Sequence, residues 1–441
     1  MKLRRRSFIV PSLALARLAC AQIVDSEPAT VANIPVNYTE AKTGTYTLPD
    51  PLKFADGSPV ADAKTWMEKR RPELLKLIEE NQFGRVPPKP DSMAYDAFDQ
   101  GTPAFGGKAL RKQVRLFFPS SRTNHWVDVL LYLPANATGP VPVLLNFGWT
   151  ANNLAVPDDP GVRVGGLIPA NPRPEPYFRV PATPTPGPSR GPGRNLDPMQ
   201  VVERGYGWAI FNYNDIDPDV PNAIAAGVRA AFLKLGQAEP APDEWGSIAA
   251  WSWGASRIID WLEAEPKIDA KRIAITGASR LGKTALWTAA RDERVACVIA
   301  SVSGEGGAAL SRRDYGETVA HLVAPTRYPY QFAQNYQKWA GRANEMPWDA
   351  HTIIALVAPR PILLQTGSTD KWSDPYGEFL AAKAATPVFA LLGKKGIEEY
   401  SLPATGKPLM HTLGYLMHDG PHGVMPADWP MFLDFLDAHL K

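Results

Sequence analysis

Apolar residues fall along this chain in short, nearly continuous runs separated by longer mixed stretches. Residues 141–147, 207–213, 272–276, 295–301 and 360–366 are such runs. Runs of this length with no polar alternation predict strands buried on both faces. Residues 244–263, 281–291 and 375–384 instead place apolar and polar positions at helical spacing and lie between these strands. Residues 66–81 show the same helical mixture upstream, whereas 110–119 and 127–134 alternate as the strands of a hairpin or meander do. A last helix over 427–439 would close the fold. Strand alternating with helix predicts an α/β architecture, a mainly parallel central sheet with helices on both faces in three layers.

Two segments stand apart from this pattern. Residues 156–194 are crowded with proline and glycine (Pro181, Pro184, Pro186, Gly187, Pro188, Gly191) and show no periodicity. They read as a long insertion between sheet strands of one catalytic domain spanning 22–441, either shaping a binding site or forming a surface excursion. The other is the N-terminus. Lys2, Arg4, Arg5 and Arg6 precede an apolar stretch from Phe8 to Ala16, and Ala19-Cys20-Ala21 resembles a cleavage site. Those three parts predict a signal peptide over 1–21, and with it a secreted or periplasmic protein. Arg5-Arg6-Ser7-Phe8-Ile9 also resembles the twin-arginine export pattern.

Export changes the charge. Cleavage after Ala21 removes five basic and no acidic residues from totals of 47 and 45, which turns a formal charge of +2 into −3. No electrostatic case for nucleic acid is left. No internal stretch approaches the roughly 18 uncharged apolar residues that a membrane span requires. Cys297 is then the one remaining cysteine, so no internal disulfide is expected.

The chemistry concentrates where the run 272–276 enters Gly277-Ala278-Ser279-Arg280-Leu281-Gly282-Lys283 and a helix follows at once. A serine among small residues at a strand-to-helix junction resembles a nucleophile elbow. The sharp turn projects the hydroxyl, and the helix N-terminus favours negative charge beside it. The usual G-x-S-x-G spacing is not kept, since the second glycine falls one residue later, and the phosphate-loop spacing is absent too. A serine nucleophile needs a base. Of seven histidines, His422 lies in His418-Asp419-Gly420-Pro421-His422-Gly423, between the apolar run 413–417 and the final helix. That is the third place in the chain order serine, acid, histidine. His418 is its weaker alternative, and His351, His411 and His439 read as structural or surface residues. For the acid, Asp370 follows the strand that ends at Thr366, and Glu305, in Ser303-Gly304-Glu305-Gly306-Gly307, is its rival. Asp374 reads as a loop cap.

These residues together resemble the glucuronoyl esterases, carbohydrate esterase family 15 of the α/β-hydrolase superfamily. The family signature G-C-S-R-x-G-K is matched by residues 277–283 with Ala278 in place of cysteine. The likeness continues through Arg312-Arg313-Asp314-Tyr315-Gly316-Glu317, Pro347-Trp348-Asp349-Ala350-His351, Asp370-Lys371-Trp372 and Gly420-Pro421-His422. It implies an enzyme that cleaves the ester between 4-O-methyl-glucuronate side groups of xylan and lignin alcohols through an acyl-enzyme. Ser279 would attack and His422 would take its proton. Arg280 would join backbone N–H groups in the oxyanion hole. Lys283, Glu317 and Trp372 would hold the sugar. No metal or organic cofactor is implied. The partners expected are glucuronoxylan and lignin–carbohydrate esters, with no nucleic acid, no membrane span and a monomeric chain. Some family members carry the acid at the position that is Val302 here, which favours Asp370. Ala278 removes a thiol and the disulfide some relatives form with it. Two other readings stay open: an esterase of the acetyl-xylan or general carboxyl type, and a non-catalytic carbohydrate-binding relative.

Overall fold

Strands of the described residues assemble into one nine-stranded sheet and a small two-stranded ribbon in the computed structural model, which describes residues 30–118, 125–164, 197–222 and 224–441. In chain order the large sheet contains β1 (Ala94–Ala104), β2 (Ala109–Phe117), β3 (Trp126–Pro134), β4 (Val141–Gly148) and β5 (Gly207–Asn212). It continues with β6 (Ile268–Ala278), β7 (Val295–Ser301), β8 (Ile362–Gly367) and β9 (Leu413–His418). Their spatial order is β9-β8-β7-β6-β4-β5-β3-β2-β1. From β9 across to β5 neighbours are parallel; β3, β2 and β1 are added antiparallel. Among the described residues, six helices of eight residues or more flank the sheet: α1 (Arg71–Ile78), α2 (Ser247–Ala264), α3 (Arg280–Arg291), α4 (Ala350–Val357), α5 (Pro375–Leu391) and α6 (Asp428–Leu440).

The apolar runs are continuous because each strand feeds two cores. Leu145, Ile275, Val298 and Leu364 face one side, where they meet Leu74, Ile258, Leu286, Ile354 and Phe389 of α1 to α5. Their neighbours in sequence, Leu144, Ala274, Ile299 and Leu363, face the other side with Phe432 and Leu436 of α6 and with Val201 and Val202 of the short helix Pro198–Glu203. Successive side chains of a strand point to opposite faces, so a strand between two helix layers has no polar position to spare. Each leucine, isoleucine, valine or phenylalanine among them contributes about 1.5–3 kcal/mol on burial. The expected three-layer α/β arrangement is thus present.

Three elements differ from the pattern expected. β1 was not expected: most of its residues are exposed, and its pairing with β2 shifts register between Ala97 and Asp99 and again between Gln100 and Thr102. α4 is buried along its whole length, so its run Ile353-Ile354-Ala355-Leu356-Val357 has no polar face to show helical periodicity. α5 continues through Pro387 to Leu391, beyond the end expected at 384. At the opposite edge, β9 is covered by the loop before it, through Gly406 N–H to Met417 O (2.8 Å) and a bridge between Leu409 and Tyr415.

The signal segment 1–21 and most of the insertion lie outside the described residues. Residues 156–164 belong to them, and there Asp159 accepts from Arg111 (2.6 Å) and Tyr132 (2.7 Å), which ties the start of the insertion to β2 and β3. Cys297 is buried and free. No helix among the described residues is long and apolar enough to cross a membrane.

Gly282 explains the displaced second glycine of the serine motif. A Cβ there would stand 2.5 Å from the carbonyl oxygen of Ser301 on β7, so only glycine lets α3 approach the sheet this closely. Gly282→Ala is expected to lower stability by about 1–3 kcal/mol. A denaturant melt as stable as wild type would contradict the packing.

Candidate active site

Strand register brings the predicted residues to one edge. Ala278 of β6 pairs with Ser301 of β7, Ser301 with Gln365 of β8, and Gln365 with Leu416 of β9. The loops leaving these carboxyl ends carry Ser279, Glu305, Asp370 and His422 in turn. In open parallel sheets this edge is where sites form.

Ser279 is the N-cap of α3 at φ 59°, ψ −126°. A side-chain-bearing residue held there costs on the order of 1–3 kcal/mol. Its N–H donates to Ser301 O (2.9 Å), and its carbonyl accepts from Lys283 N–H (3.0 Å). Asp370, 6% exposed, places Oδ2 2.6 Å from Nδ1 of His422, whose side chain is 41% exposed. Ser373 Oγ lies 3.1 Å from the same nitrogen, and Ser373 N–H donates to Asp370 Oδ1 (3.3 Å). With Nδ1 directed at the carboxylate, Nε2 is the nitrogen left for proton exchange.

The rivals are placed elsewhere. Glu305 does not meet His422; it accepts from Ser311 Oγ (2.6 Å) and Tyr336 OH (3.4 Å), and burial pushes its carboxyl up to about 8. His418 faces Asp428 with Nδ1 (2.8 Å) and Pro421 O with Nε2 (2.9 Å). Asp374 caps α5 through Gly377 N–H (2.9 Å), and beyond the capping role expected of it pairs with buried Arg313 (2.7 Å). Val302 is fully buried at φ 41° and offers no charge.

A charged lining adjoins the serine. Arg280 is ion-paired with Asp219, and its guanidinium lies over Tyr328 (4.5 Å to the centroid) and Trp149 (5.8 Å). Asp219 also accepts from Tyr213 OH (2.8 Å), Tyr330 OH (3.0 Å) and Gln331 Nε2 (2.6 Å). Lys283 and Glu317 are both buried. Burial depresses the Lys283 ammonium and raises the Glu317 carboxyl, and each is countered by the charge of the other. Glu317 is paired with Arg327 (2.7 Å), and its N–H donates to Trp372 O (2.8 Å). The Arg327 guanidinium sits 5.1 Å over the Trp372 ring, which meets His321 in a T-shaped contact with centroids 5.3 Å apart. Glu378 on α5 accepts from Gly304 N–H (2.6 Å) and Ser303 Oγ (3.3 Å), and burial pushes it up to about 8.

Asp219, Arg327, Ser373 and Glu378 were not among the residues expected from sequence. Asp219 had a signal: it ends the polar run Asn214-Asp215-Ile216-Asp217-Pro218-Asp219 just past a strand's carboxyl end. The other three had none, since each acts through a contact made by folding. Among the described residues no cluster of His, Cys, Asp and Glu is placed to hold a metal ion.

A family model described as glucuronyl esterase, fungi, matches residues 205–393. A solved glucuronoyl esterase from Solibacter usitatus is 42% identical, with a TM-score of 0.83, covering 91% of this chain and 100% of that one. A promiscuous family 15 carbohydrate esterase from a marine bacterial metagenome is 38% identical, TM-score 0.81, covering 92% and 100%. The chain belongs to carbohydrate esterase family 15, the glucuronoyl esterases. The 4-O-methyl-glucuronoyl methylesterase of Phanerochaete carnosa is 28% identical over 89% of this chain and 83% of that protein. The α/β-hydrolase fold expected from sequence is the fold of these family 15 structures.

Glu305 makes stability depend on pH in a definite direction. Unfolded, its carboxyl ionises near the ordinary 4.5; folded, it keeps its proton to about 8. Between those values folding takes up a proton, so this group's contribution to stability falls as pH rises. Glu305→Gln keeps an acceptor for Ser311 and removes the titration. Its stability relative to wild type should therefore improve from about pH 5 to about pH 8. A difference that stays constant across denaturant melts in that window would show Glu305 to be ionised throughout.

Proposed function

We propose that this family 15 protein is a serine esterase that cleaves glucuronate esters, with Ser279 as nucleophile, His422 as general base and Asp370 as the orienting acid. The observation that carries it is the 2.6 Å contact between Asp370 Oδ2 and His422 Nδ1, made at the sheet edge where Ser279 is held on its turn. The methylesterase name of the relatives and the match of residues 205–393 to a glucuronyl esterase model support the substrate class.

Ser279 Oγ attacks the uronate carbonyl carbon while His422 Nε2 takes its proton. The tetrahedral oxyanion collapses, the alcohol leaves with that proton, and the uronoyl group stays on the serine. Water then attacks, giving its proton to His422, and the free uronate departs as the proton returns to Ser279. Asp370 holds the imidazole in the right tautomer and balances the imidazolium. Arg280 sits beside the nucleophile with its position set by Asp219, Tyr328 and Trp149, so its charge needs no reorganisation as the oxyanion forms. Lys283, Glu317 and Trp372 present a cation, a carboxyl group and an indole to a hydroxyl-rich sugar ring. The substrate this reading names is a glucuronate linked to xylan through its anomeric carbon and esterified to a lignin alcohol through its carboxyl. The basic, then apolar, N-terminus supports export of the enzyme.

Hydrolysis of benzyl glucuronate beside p-nitrophenyl acetate tests the reading. Wild type should prefer the uronate ester, and Ser279→Ala should lose at least about 10³-fold in kcat. Asp370→Asn should lose about 10³- to 10⁴-fold by leaving His422 in the wrong tautomer, with Glu305→Gln within about tenfold of wild type. Preference for the acetate, or uronate turnover surviving Ser279→Ala, would overturn the assignment.

A further inference from the structure

We propose that His418 is a positioning residue for catalysis, an imidazolium that fixes the loop carrying His422 and holds that loop only while it is charged. The proposal rests on His422 being the general base. His418 ends β9, and its side chain is 5% exposed, against 0% for Asp428 on α6. Both ring nitrogens face oxygen: Nδ1 lies 2.8 Å from Asp428 Oδ2 and Nε2 lies 2.9 Å from Pro421 O. A neutral imidazole has one N–H and would turn a lone pair towards one of those oxygens; only the imidazolium donates to both. Gln365 Nε2 also approaches Nδ1 at 2.9 Å. The same nitrogen lies 3.0 Å from Thr366 O and 3.3 Å from Gly423 O, and those two acceptors can take its two hydrogens, which leaves Nδ1 its own proton for Asp428.

The acceptors held in this way flank the base. Pro421 O belongs to the peptide group that leads into His422, and Gly423 O follows it. The loop is further stitched to the acid loop by Ser368 N–H to His418 O, Thr369 N–H to Gly420 O and Gly420 N–H to Ser368 Oγ, each 3.0 Å. Gly367 leaves no slack: a Cβ there would stand 2.5 Å from Pro421 O and 2.9 Å from His418 Nε2. Loss of the Nε2 proton would therefore release the His418 side chain from the Pro421–His422 peptide.

The charges that reach His418 are anionic: Asp428 from α6 and Asp370 from the loop after β8. Asp419, beside it in sequence, is occupied by Ser368 Oγ (3.0 Å). Burial alone would depress the imidazolium, and the bonds to Asp428 and Pro421 outweigh it, so its proton is held above the ordinary value. A raised folded pKa means that the grip is intact below the ordinary imidazole value and is lost as pH rises through the raised one.

Two measurements decide it. In wild-type protein labelled with ¹⁵N-histidine, assigned by difference from His418→Asn, both His418 ring nitrogens should carry protons at about pH 7. In Asp428→Asn the counter-charge is gone. The alkaline limb of kcat on benzyl glucuronate should then move to lower pH, by about tenfold in kcat for each unit of pKa lost, with KM unchanged. A limb that stays in place overturns the proposal, and so does a neutral His418 in the wild-type spectrum, which needs no activity and holds even if Asp428→Asn fails to fold. Failure of the catalytic assignment would show separately, as turnover by Ser279→Ala.

Discussion

Ser279 sits on a turn that an unconstrained chain would leave, and the rest of the site takes its geometry from that turn. What offsets the strain is packing on both sides of it. β6 is paired on one side with β4 and on the other with β7, and the helix that follows buries Leu281, Ala285, Leu286 and Trp287 against the sheet. The Ser301 carbonyl completes the arrangement, accepting from Ser279 N–H and resting against Gly282. A Cβ at Gly277 would lie 2.3 Å from Leu281 O, so the turn has small residues where the backbone meets itself. The serine is thus fixed by the core, at the point where two layers of helices meet one sheet.

Charge is handled by the same rule of fixed partners. Arg280 has Asp219, Glu317 has Arg327, and His422 has Asp370. Groups held in place in a poorly polarisable surrounding act on a developing charge more strongly than mobile ones in water. The buried glutamates Glu305 and Glu378 keep their protons near neutral pH, so Lys283 is surrounded by fewer negative charges than its neighbours' names suggest.

Much of this was readable in the sequence. The doubly buried strands announced themselves as unbroken apolar runs, and Ser279, Asp370 and His422 each followed one of them. Both strand ends and loops were therefore legible wherever the chemistry depends on local order. What depends on distant contacts was not. Asp219 and Arg280 are brought together by the fold from positions far apart in the chain. Glu378 reads as an ordinary polar position on α5, although it is fully buried beneath Gly304. β1 escaped notice for the opposite reason: Asp96, Asp99, Gly101 and Pro103 make it look like a loop, and only pairing with β2 draws it into the sheet.

The two ends of the sheet have a bearing on how copies of this protein meet one another. An exposed, regular edge strand is a template on which another chain can add hydrogen bonds and start an aggregate. β1 is a poor template, because two register shifts bend it and its side chains include Asp96, Asp99 and Pro103. β9 is not a template at all along the part covered by Gly406 and Leu409. With one border kinked and part of the other covered, the sheet offers a second molecule little regular edge on which to add a strand.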